Sequence, residues 1–400
     1  KDLLKSKGIN WQKVTRPLLA ESKKVKTDAD HLLLLWRLLA RLNDGHAAVK
    51  PLERGEGVKL DLPDRSFAPG MFLCRIGEAV FVKNAWGAAA QAGMKPGMEV
   101  VALDGKPADE WLAARTASLR DLLSFSTDHQ ADFYTCHWGL ADVAGTRLAV
   151  ECRDGKSRKK RTITYQKGSQ TASGPAFPPP GTRRHQDIHY GTTAGGFGYV
   201  HIRRCKGDLP EQVDVALQAI GEVPGMILDF RGNGGGGFDH QALFGRFLPA
   251  GSKWPYGSGY ESQGPHPYGG PVVVLIDATC RSAGETAAGQ FTEDGRALGI
   301  GESPTAGMSS SKTTIELPSR LFALYVSVRS NKARFQGGKG IEGLGVAPHL
   351  VVRFDAADLL AENDTLILAA EAALREYASG EAWRKVRYDP AEFGWSAPKK

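Results

Sequence analysis

A serine at position 282 lies where a run of β-branched residues gives way to a helix-forming segment, in the stretch GPVVVLIDATCRSAGETAAGQF at 270–291. At such a turn the hydroxyl is held clear of the sheet. The backbone N–H groups that follow, beginning with Ala283, point toward the anion that forms when a serine attacks a carbonyl. Such a turn can make Ser282 a nucleophile, although by its local pattern alone a solvated serine at the start of a helix is the commoner case.

A glycine-rich segment is the second candidate for chemistry. In GMILDFRGNGGGGFDHQALF, at 225–244, an apolar strand runs into a tract of glycines and then into a predicted helix. Without a Cβ, the backbone can approach a ligand closely and aim N–H groups at it. Gly232, Gly234 and Gly237 also fit the dinucleotide pattern GxGxxG, but the loop-rich stretch at 251–270 lacks the strand and acidic residue that such a site requires. An oxyanion-binding turn is the favoured interpretation.

A histidine follows an early amphipathic helix. The helix is predicted to stop at the turn formed by residues 43–45, and His46 comes directly after it. A lone histidine is more often hydrogen-bonded or exposed without a catalytic role, and the same holds for His240 in the helix after the glycines. The helical spacing is carried by Leu32, Leu35, Trp36, Leu39 and Leu42.

Five segments, taken in order, resemble the C-terminal processing (tail-specific) serine peptidases, and more closely their tricorn-core branch. The resemblance covers nearly all of residues 1–376. The matching segments are DGHAAV at 44–49, LDFRGNGGGG at 228–237, CRSAGE at 280–285, GESPTAG at 301–307 and IEGLGVAPHLVV at 341–352.

The resemblance implies one of two catalytic arrangements. The bacterial tail-specific type uses a lysine base in T-x-G-K, but the corresponding position here is Met308, which cannot take a proton. Ser309 and Lys312 give a literal S-x-x-K, yet that motif must open a helix, and Lys312 leads into TTIELP, which is predicted to be a strand. The lysine arrangements are therefore disfavoured.

The tricorn-type arrangement finds all its residues in this chain. By resemblance, His46 takes the proton of Ser282 and later passes it to the leaving amine, while Glu342 fixes the imidazole tautomer. Gly235, or a neighbour in the glycine tract, and Ala283 supply oxyanion donors. Family members can carry a serine beside the histidine that bridges it to the glutamate, whereas this chain has Gly45. Another hydroxyl or a water fills that gap, or the relay is weaker.

Two classes of function remain in competition. The first is a serine endopeptidase that cleaves extended or unfolded polypeptides, with no cofactor and no metal. The second is a catalytically inactive peptide- or ligand-binding scaffold of the same fold. The presence of serine, histidine and glutamate in the family's places favours the enzyme. An acyl-CoA enzyme of the crotonase type would need a CoA site, which the sequence does not display.

Composition bounds the partners. The 400 residues, 42% hydrophobic, are enough for two or three domains with cores of their own, and no apolar run is long enough to span a membrane. The five cysteines are scattered, which predicts free thiols with at most one bridge. A net charge of +7 is densest at 153–161, a predicted hairpin tip, without a nucleic-acid signature. A periplasmic or extracellular location is slightly favoured, and homo-oligomerisation is left open.

Composition shifts divide the chain. Short apolar runs alternating with helices predict a mixed α/β core with a largely parallel sheet, which the resemblance sharpens to a crotonase-like (ClpP-like) fold. A strand, a small-residue helix and a second strand at 99–103 resemble a PDZ domain, which binds peptides as an added strand. The expected parts are an N-terminal helical segment (1–55) with His46, a PDZ-like domain (68–167), a Pro-rich linker (168–184), the peptidase core (185–376) and a tail (377–400). Residues 356–377, where the core ends, have the apolar spacing of an amphipathic helix.

Overall fold

The computed structural model describes residues 2–154, 157–168, 174–255, 257–330 and 334–376. The chain opens with three helices and a short strand, and His46 lies between the third helix and that strand. Thr27 caps the third helix with its side chain, and Asp30 returns the bond to the Thr27 backbone, so the helix has a defined start. These elements are α1 (Asp2–Ser6), α2 (Trp11–Ser22), α3 (Asp28–Ala40) and β1 (Ala48–Pro51).

A β-rich unit follows, with its own apolar core. Six strands form one sheet in the order β3-β4-β5-β7-β8, with β6 paired to β5, and helices α5 and α6 cover the stretch that sequence patterns left unplaced. The predicted strand at 99–103 is present as β5. The elements are β2 (Phe67–Ala68), β3 (Met71–Ile76), β4 (Ala79–Ala85), α4 (Gly87–Gln91), β5 (Glu99–Leu103), β6 (Lys106–Pro107), α5 (Ala108–Leu119), α6 (Asp128–Cys136), β7 (Arg147–Asp154), β8 (Ser157–Thr164) and β9 (Gln166–Lys167).

The remainder of the chain is built on a seven-stranded sheet in the order β10-β11-β12-β13-β14-β15-β18. Strands β12, β13, β14, β15 and β18 run parallel to one another, whereas β10 pairs with β11, and β11 with β12, in antiparallel fashion. The elements are β10 (Arg183–His185), β11 (Ile188–Thr192), β12 (Gly198–Ile202), α7 (Leu209–Ile220), β13 (Met226–Asp229), α8 (His240–Gly245), β14 (Val272–Ile276), α9 (Ala283–Glu293), β15 (Leu298–Gly301), β16 (Ser310–Glu316), β17 (Phe322–Ser330), β18 (Leu350–Val351), α10 (Ala356–Leu360) and α11 (Thr365–Glu376).

The central strands are apolar on both faces because helices cover both sides of the sheet. In β14, Val272 and Val274 pack into a core shared with α7, α8 and α9, while Val273 and Leu275 between them pack into a core shared with α10 and α11. Strands buried on both faces form continuous apolar runs rather than alternating patterns. The expected mixed α/β architecture with a largely parallel sheet is confirmed.

A small antiparallel sheet joins the beginning of the chain to its end. Strand β1, two residues after His46, pairs with β17, and β17 pairs with β16, which follows Met308. The register places Ala48 and Thr314 on either side of Tyr325. This sheet therefore carries the His46 segment to the part of the chain that lies beside Ser282.

Two details differ from expectation. The segment 356–377 is two helices, because Glu362 adopts a left-handed φ of 57° and Asp364 accepts N–H groups at the start of α11. Within the expected linker, Ala176 is buried and its N–H donates to Asp364. By contrast, the basic stretch at 153–161 lies on the paired ends of β7 and β8, as expected for a hairpin. The tail at 377–400 lies outside the described residues.

All five cysteines are buried free thiols, as expected. Within the ranges given above, no helix combines the length and apolar character needed to cross a membrane.

Candidate active site

Ser282 occupies the predicted turn between a strand and a helix. It lies between the end of β14 and the first residue of α9, and it is partly buried. Its backbone has φ 56° and ψ −121°, a conformation that non-glycine residues rarely adopt and that costs about 1–3 kcal/mol. Such strained turns occur where a nucleophile is projected from a sheet. The local context inferred from the sequence is thus present, with strain that the sequence did not reveal.

The glycine tract lies directly against the serine. A Cβ built on Gly235 would lie 2.7 Å from the Cβ of Ser282, and the φ of Gly235 is +76°. The N–H of Gly235 donates to Oδ1 of Asn233 at 2.8 Å. Among the described residues, the N–H groups of Gly236 and Ala283 make no hydrogen bond. Ala283 therefore has a free donor next to the serine, whereas that of Gly235 is already used.

Glu285 anchors the turn from beneath. Its fully buried carboxylate accepts the N–H of Ser282 at 3.0 Å, the hydroxyl of Thr305 at 2.6 Å, and the N–H groups of Gly307 and Met308 at 2.6 and 2.9 Å. Burial raises the pKa of Glu285 to about 8, and these donors oppose the rise. One side chain thus ties the serine turn to the segment at 305–308.

His46 lies in a cluster with two carboxylates. One nitrogen of His46 and one oxygen each from Asp44 and Glu342 lie within 4.8 Å of one another. Nδ1 of His46 and Oε2 of Glu342 are buried without a hydrogen-bond partner among the described residues. Burial lowers the pKa of His46 to about 4, and the nearby cation Lys312 acts in the same direction while Asp44 opposes both. The imidazole is therefore neutral at neutral pH, with a free lone pair.

Glu342 is also held by a lysine from the first turn of the chain. Nζ of Lys7 lies 2.7 Å from Oε1 of Glu342 and donates to the carbonyl oxygen of Asn43 at 2.6 Å. Burial raises the pKa of Glu342, and Lys7 and the hydroxyl of Ser310 oppose the rise. The Ser310 hydroxyl donates its hydrogen bond to the hydroxyl of Ser327, and Oε2 of Glu342 has no donor among the described residues.

The two halves of the predicted site meet through Met308. The Ser282 N–H donates to the Met308 carbonyl oxygen at 3.1 Å, and a Cβ on Gly45 would lie 2.6 Å from Sδ of Met308. Gly45, Arg281 and Met308 line one cavity of about 260 Å³. In the described part of the chain, no hydrogen bond joins the imidazole of His46 to the hydroxyl of Ser282.

Sequence reasoning missed three members of this neighbourhood. Asp44 was visible only as part of the turn before His46, and its carboxylate accepts the N–H groups of His46 and Ser327. Lys7 and Ser310 carried no local signal, because their relation to Glu342 arises only in the folded chain.

The alternative bases are placed elsewhere. Lys312 lies on β16, a strand as expected, so the S-x-x-K interpretation lacks its helix. His240 stacks on Phe238, and its Nε2 lies 2.6 Å from the hydroxyl of Thr286. His240 therefore has partners other than Ser282.

Residues 196–352 match the model of Peptidase family S41. The match covers less than half of the 400 residues and lies in the second part of the chain. The matched region contains the glycine tract, Ser282 and Glu342, while His46 lies before it. The match supports the enzyme class expected from the sequence, a serine peptidase.

Relatives give the extent of the similarity. The Chlamydia pneumoniae protein CPj1016/CpB1054 is 36% identical over 104 residues, which are 25% of this chain and 17% of that protein. The crystal structure of mature CPAF matches with a TM-score of 0.67 at 13% identity, over 95% of this chain and 94% of CPAF. Mature CPAF complexed with lactacystin matches with a TM-score of 0.66 at 14% identity, over 94% of each chain. At these identities, the similarity to CPAF establishes the mixed α/β fold.

Proposed function

We propose that this protein is a serine endopeptidase of the tricorn-core type, with Ser282 as nucleophile, His46 as general base and Glu342 as the carboxylate that orients the imidazole. The observation that carries the proposal is the meeting of two distant segments. Gly45, next to His46, packs on Met308, whose carbonyl oxygen accepts the Ser282 N–H. The carboxylate of Glu342 lies in the His46 cluster.

The proposed reaction follows the general logic of nucleophile, base and carboxylate. Neutral His46 removes the proton of the Ser282 hydroxyl as its oxygen attacks the scissile carbonyl, and the imidazolium then protonates the leaving amine. A water molecule hydrolyses the acyl-enzyme by the same steps. Glu342 and Asp44 stabilise the imidazolium by charge, which opposes the cost of burying it. Among the described residues of the unliganded chain, no hydrogen bond joins His46 to Ser282. In this proposal the imidazole closes onto the hydroxyl when substrate binds.

The proposed oxyanion donors are Ala283 and the glycine tract. The Ala283 N–H stands at the start of α9 without a hydrogen bond among the described residues, which supports its role. Gly235 packs on Ser282, but its N–H donates to Asn233. The second donor is therefore either Gly235, after exchange of this bond, or its neighbour Gly236.

Substrate capture is assigned to the β-rich unit. We infer a PDZ-like domain at 68–167 that receives an extended or unfolded polypeptide, and a crotonase-like core at 185–376 that cleaves it. Three contacts support communication between the two: Ser126 accepts the N–H of Gly45, His129 bonds the Thr305 carbonyl oxygen, and Gln130 contacts Sδ of Met308. These contacts hold the early part of α6 against both halves of the site.

A fluorophosphonate probe tests the proposal. It should label Ser282 in the wild-type protein, and the label should disappear in Ser282→Ala and fall strongly in His46→Ala and Glu342→Gln. Ser309→Ala, at the other candidate serine, should label like the wild type. An unlabelled wild-type protein that still binds unfolded polypeptide would replace the enzyme by the binding scaffold. Labelling retained in Ser282→Ala would reject the assigned nucleophile.

A further inference from the structure

The Asp44, His46 and Glu342 side chains offer a set of atoms suited to a metal ion. Each provides one oxygen or nitrogen, and the three atoms lie within 4.8 Å of one another. One imidazole with two carboxylates is a donor set that Zn²⁺ and its neighbours in the first transition series bind well. Mg²⁺ and Ca²⁺ prefer sites made of oxygen alone.

A second observation concerns unused donor atoms. Oε2 of Glu342 and Nδ1 of His46 are both buried without a hydrogen-bond partner among the described residues, and the Glu342 side chain has 0% exposure. A buried carboxylate oxygen without a partner is unfavourable, because no hydrogen bond compensates for its loss of water. The other oxygen, Oε1, is held by Lys7, so Oε2 is the atom left for a ligand.

Asp44 can bind the same metal ion without losing its present hydrogen bonds. Its Oδ1 accepts the His46 N–H at 3.0 Å and its Oδ2 accepts the Ser327 N–H at 2.9 Å. A carboxylate has about four lone-pair positions, so each oxygen keeps one for a metal. These backbone bonds hold the carboxylate in place beside the imidazole, as the outer partners of metal ligands commonly do.

We propose that Asp44, His46 and Glu342 bind one divalent transition-metal ion, with Zn²⁺ as the representative, and that the bound ion immobilises His46 and inhibits the enzyme. The inhibition rests on the proposed peptidase function, whereas the binding does not. A tetrahedral ion with bonds of about 2.1 Å places its donors roughly 3.4 Å apart, so the three side chains must close by about 1.4 Å at most. His46 is only partly buried, which leaves the ion a route to the site.

The surrounding charges predict how binding is tuned. Lys7 forms an ion pair with Glu342 at 2.7 Å, and Lys7, Lys312 and Arg281 all act on His46 as nearby positive charges. These positive charges repel a metal cation and therefore weaken its binding. Removing the ammonium of Lys7 should therefore strengthen metal binding, although it removes an existing contact of the same carboxylate.

Isothermal titration calorimetry with Zn²⁺ on Ser282→Ala, which cannot cleave itself, tests the site. One ion per chain should bind, Glu342→Gln in that background should weaken binding by about tenfold or more, and Lys7→Met should tighten it. Glu371→Gln is the matched control, since that buried carboxylate contacts Gly195 and Arg375 instead. Mg²⁺ should give no binding.

The two proposals can fail separately. Zn²⁺ affinity equal in Ser282→Ala and its Glu342→Gln derivative would overturn the metal site, whatever the peptidase assay shows. Site-specific Zn²⁺ binding by a wild-type protein that takes no fluorophosphonate would uphold the site and remove the inhibition. If the metal site and the peptidase function are both correct, Zn²⁺ should block fluorophosphonate labelling of wild-type Ser282, and a chelator should restore the labelling.

Discussion

Gly45 and Met308 fit together: a Cβ at position 45 would lie 2.6 Å from Sδ and 2.7 Å from Cγ of Met308. At both positions the sequence departs from the patterns that its resemblance implies, with a glycine where a serine can stand beside the histidine and a methionine where the tail-specific type would have its lysine. The buried methionine occupies the space that a serine side chain would enter. The two departures are therefore one packing arrangement.

Gly45→Ser should destabilise the protein by about 1–3 kcal/mol through overpacking and lower kcat/KM, because Met308 must shift beside Ser282. Urea unfolding and peptide cleavage measure the two effects. Met308→Ala should relieve part of the cost, with a coupling of about 0.5–3 kcal/mol in a double-mutant cycle. Gly57→Ser is the control, since a Cβ there meets nothing within 4 Å. Strictly additive changes would show that the two residues do not compete for space.

Gly235→Ala should lower kcat/KM by about 100-fold, because its Cβ would lie 2.7 Å from that of Ser282 and displace the nucleophile. The left-handed φ of +76° adds backbone strain. Gly237→Ala is the matched variant from the same tract: a Cβ there meets nothing within 4 Å, and its N–H is held by Cys205. Thermal unfolding checks that both variants fold. Equal activities in folded protein would place the tract outside the site.

The strands and the serine turn could be predicted from the sequence because their signals are local. The buried runs that form β12 to β15 are largely apolar. The turn that holds Ser282 follows the run of β14 within a few residues. By contrast, the Lys7–Glu342 ion pair joins residues 335 positions apart, and nothing near either one identifies the other. The break between α10 and α11 has the same origin, since Asp364 serves the distant Arg231 as well as its own helix. Tertiary partners decided both features.

Ser310→Ala should reduce kcat roughly tenfold, because this hydroxyl favours the charged form of Glu342. Its loss raises the pKa of Glu342 further and weakens the support that the carboxylate gives to the His46 cation. Ser310 would then be the hydroxyl that takes the place of the missing serine at position 45. Ser311→Ala, at the adjacent exposed position on β16, should leave kcat unchanged. Equal rates in the two variants would assign the gap to a water molecule.

The pH dependence of kcat/KM should report the environment of His46. Burial lowers its pKa to about 4, so the base is neutral and competent above that pH, and the acid limb should lie near pH 4 rather than near 6.5. The same shift makes the folded state lose stability as pH falls from about 6.5 to 4, because the unfolded chain takes up the proton first.

Lys312→Met removes a cation that lowers the pKa of His46, so the acid limb of the kcat/KM profile should move to higher pH. Lys253→Met, which breaks an exposed ion pair with Glu261, should leave it in place. An acid limb near 6.5 in the wild type, or one that Lys312→Met moves downward, would mean that a group other than this buried imidazole carries the proton.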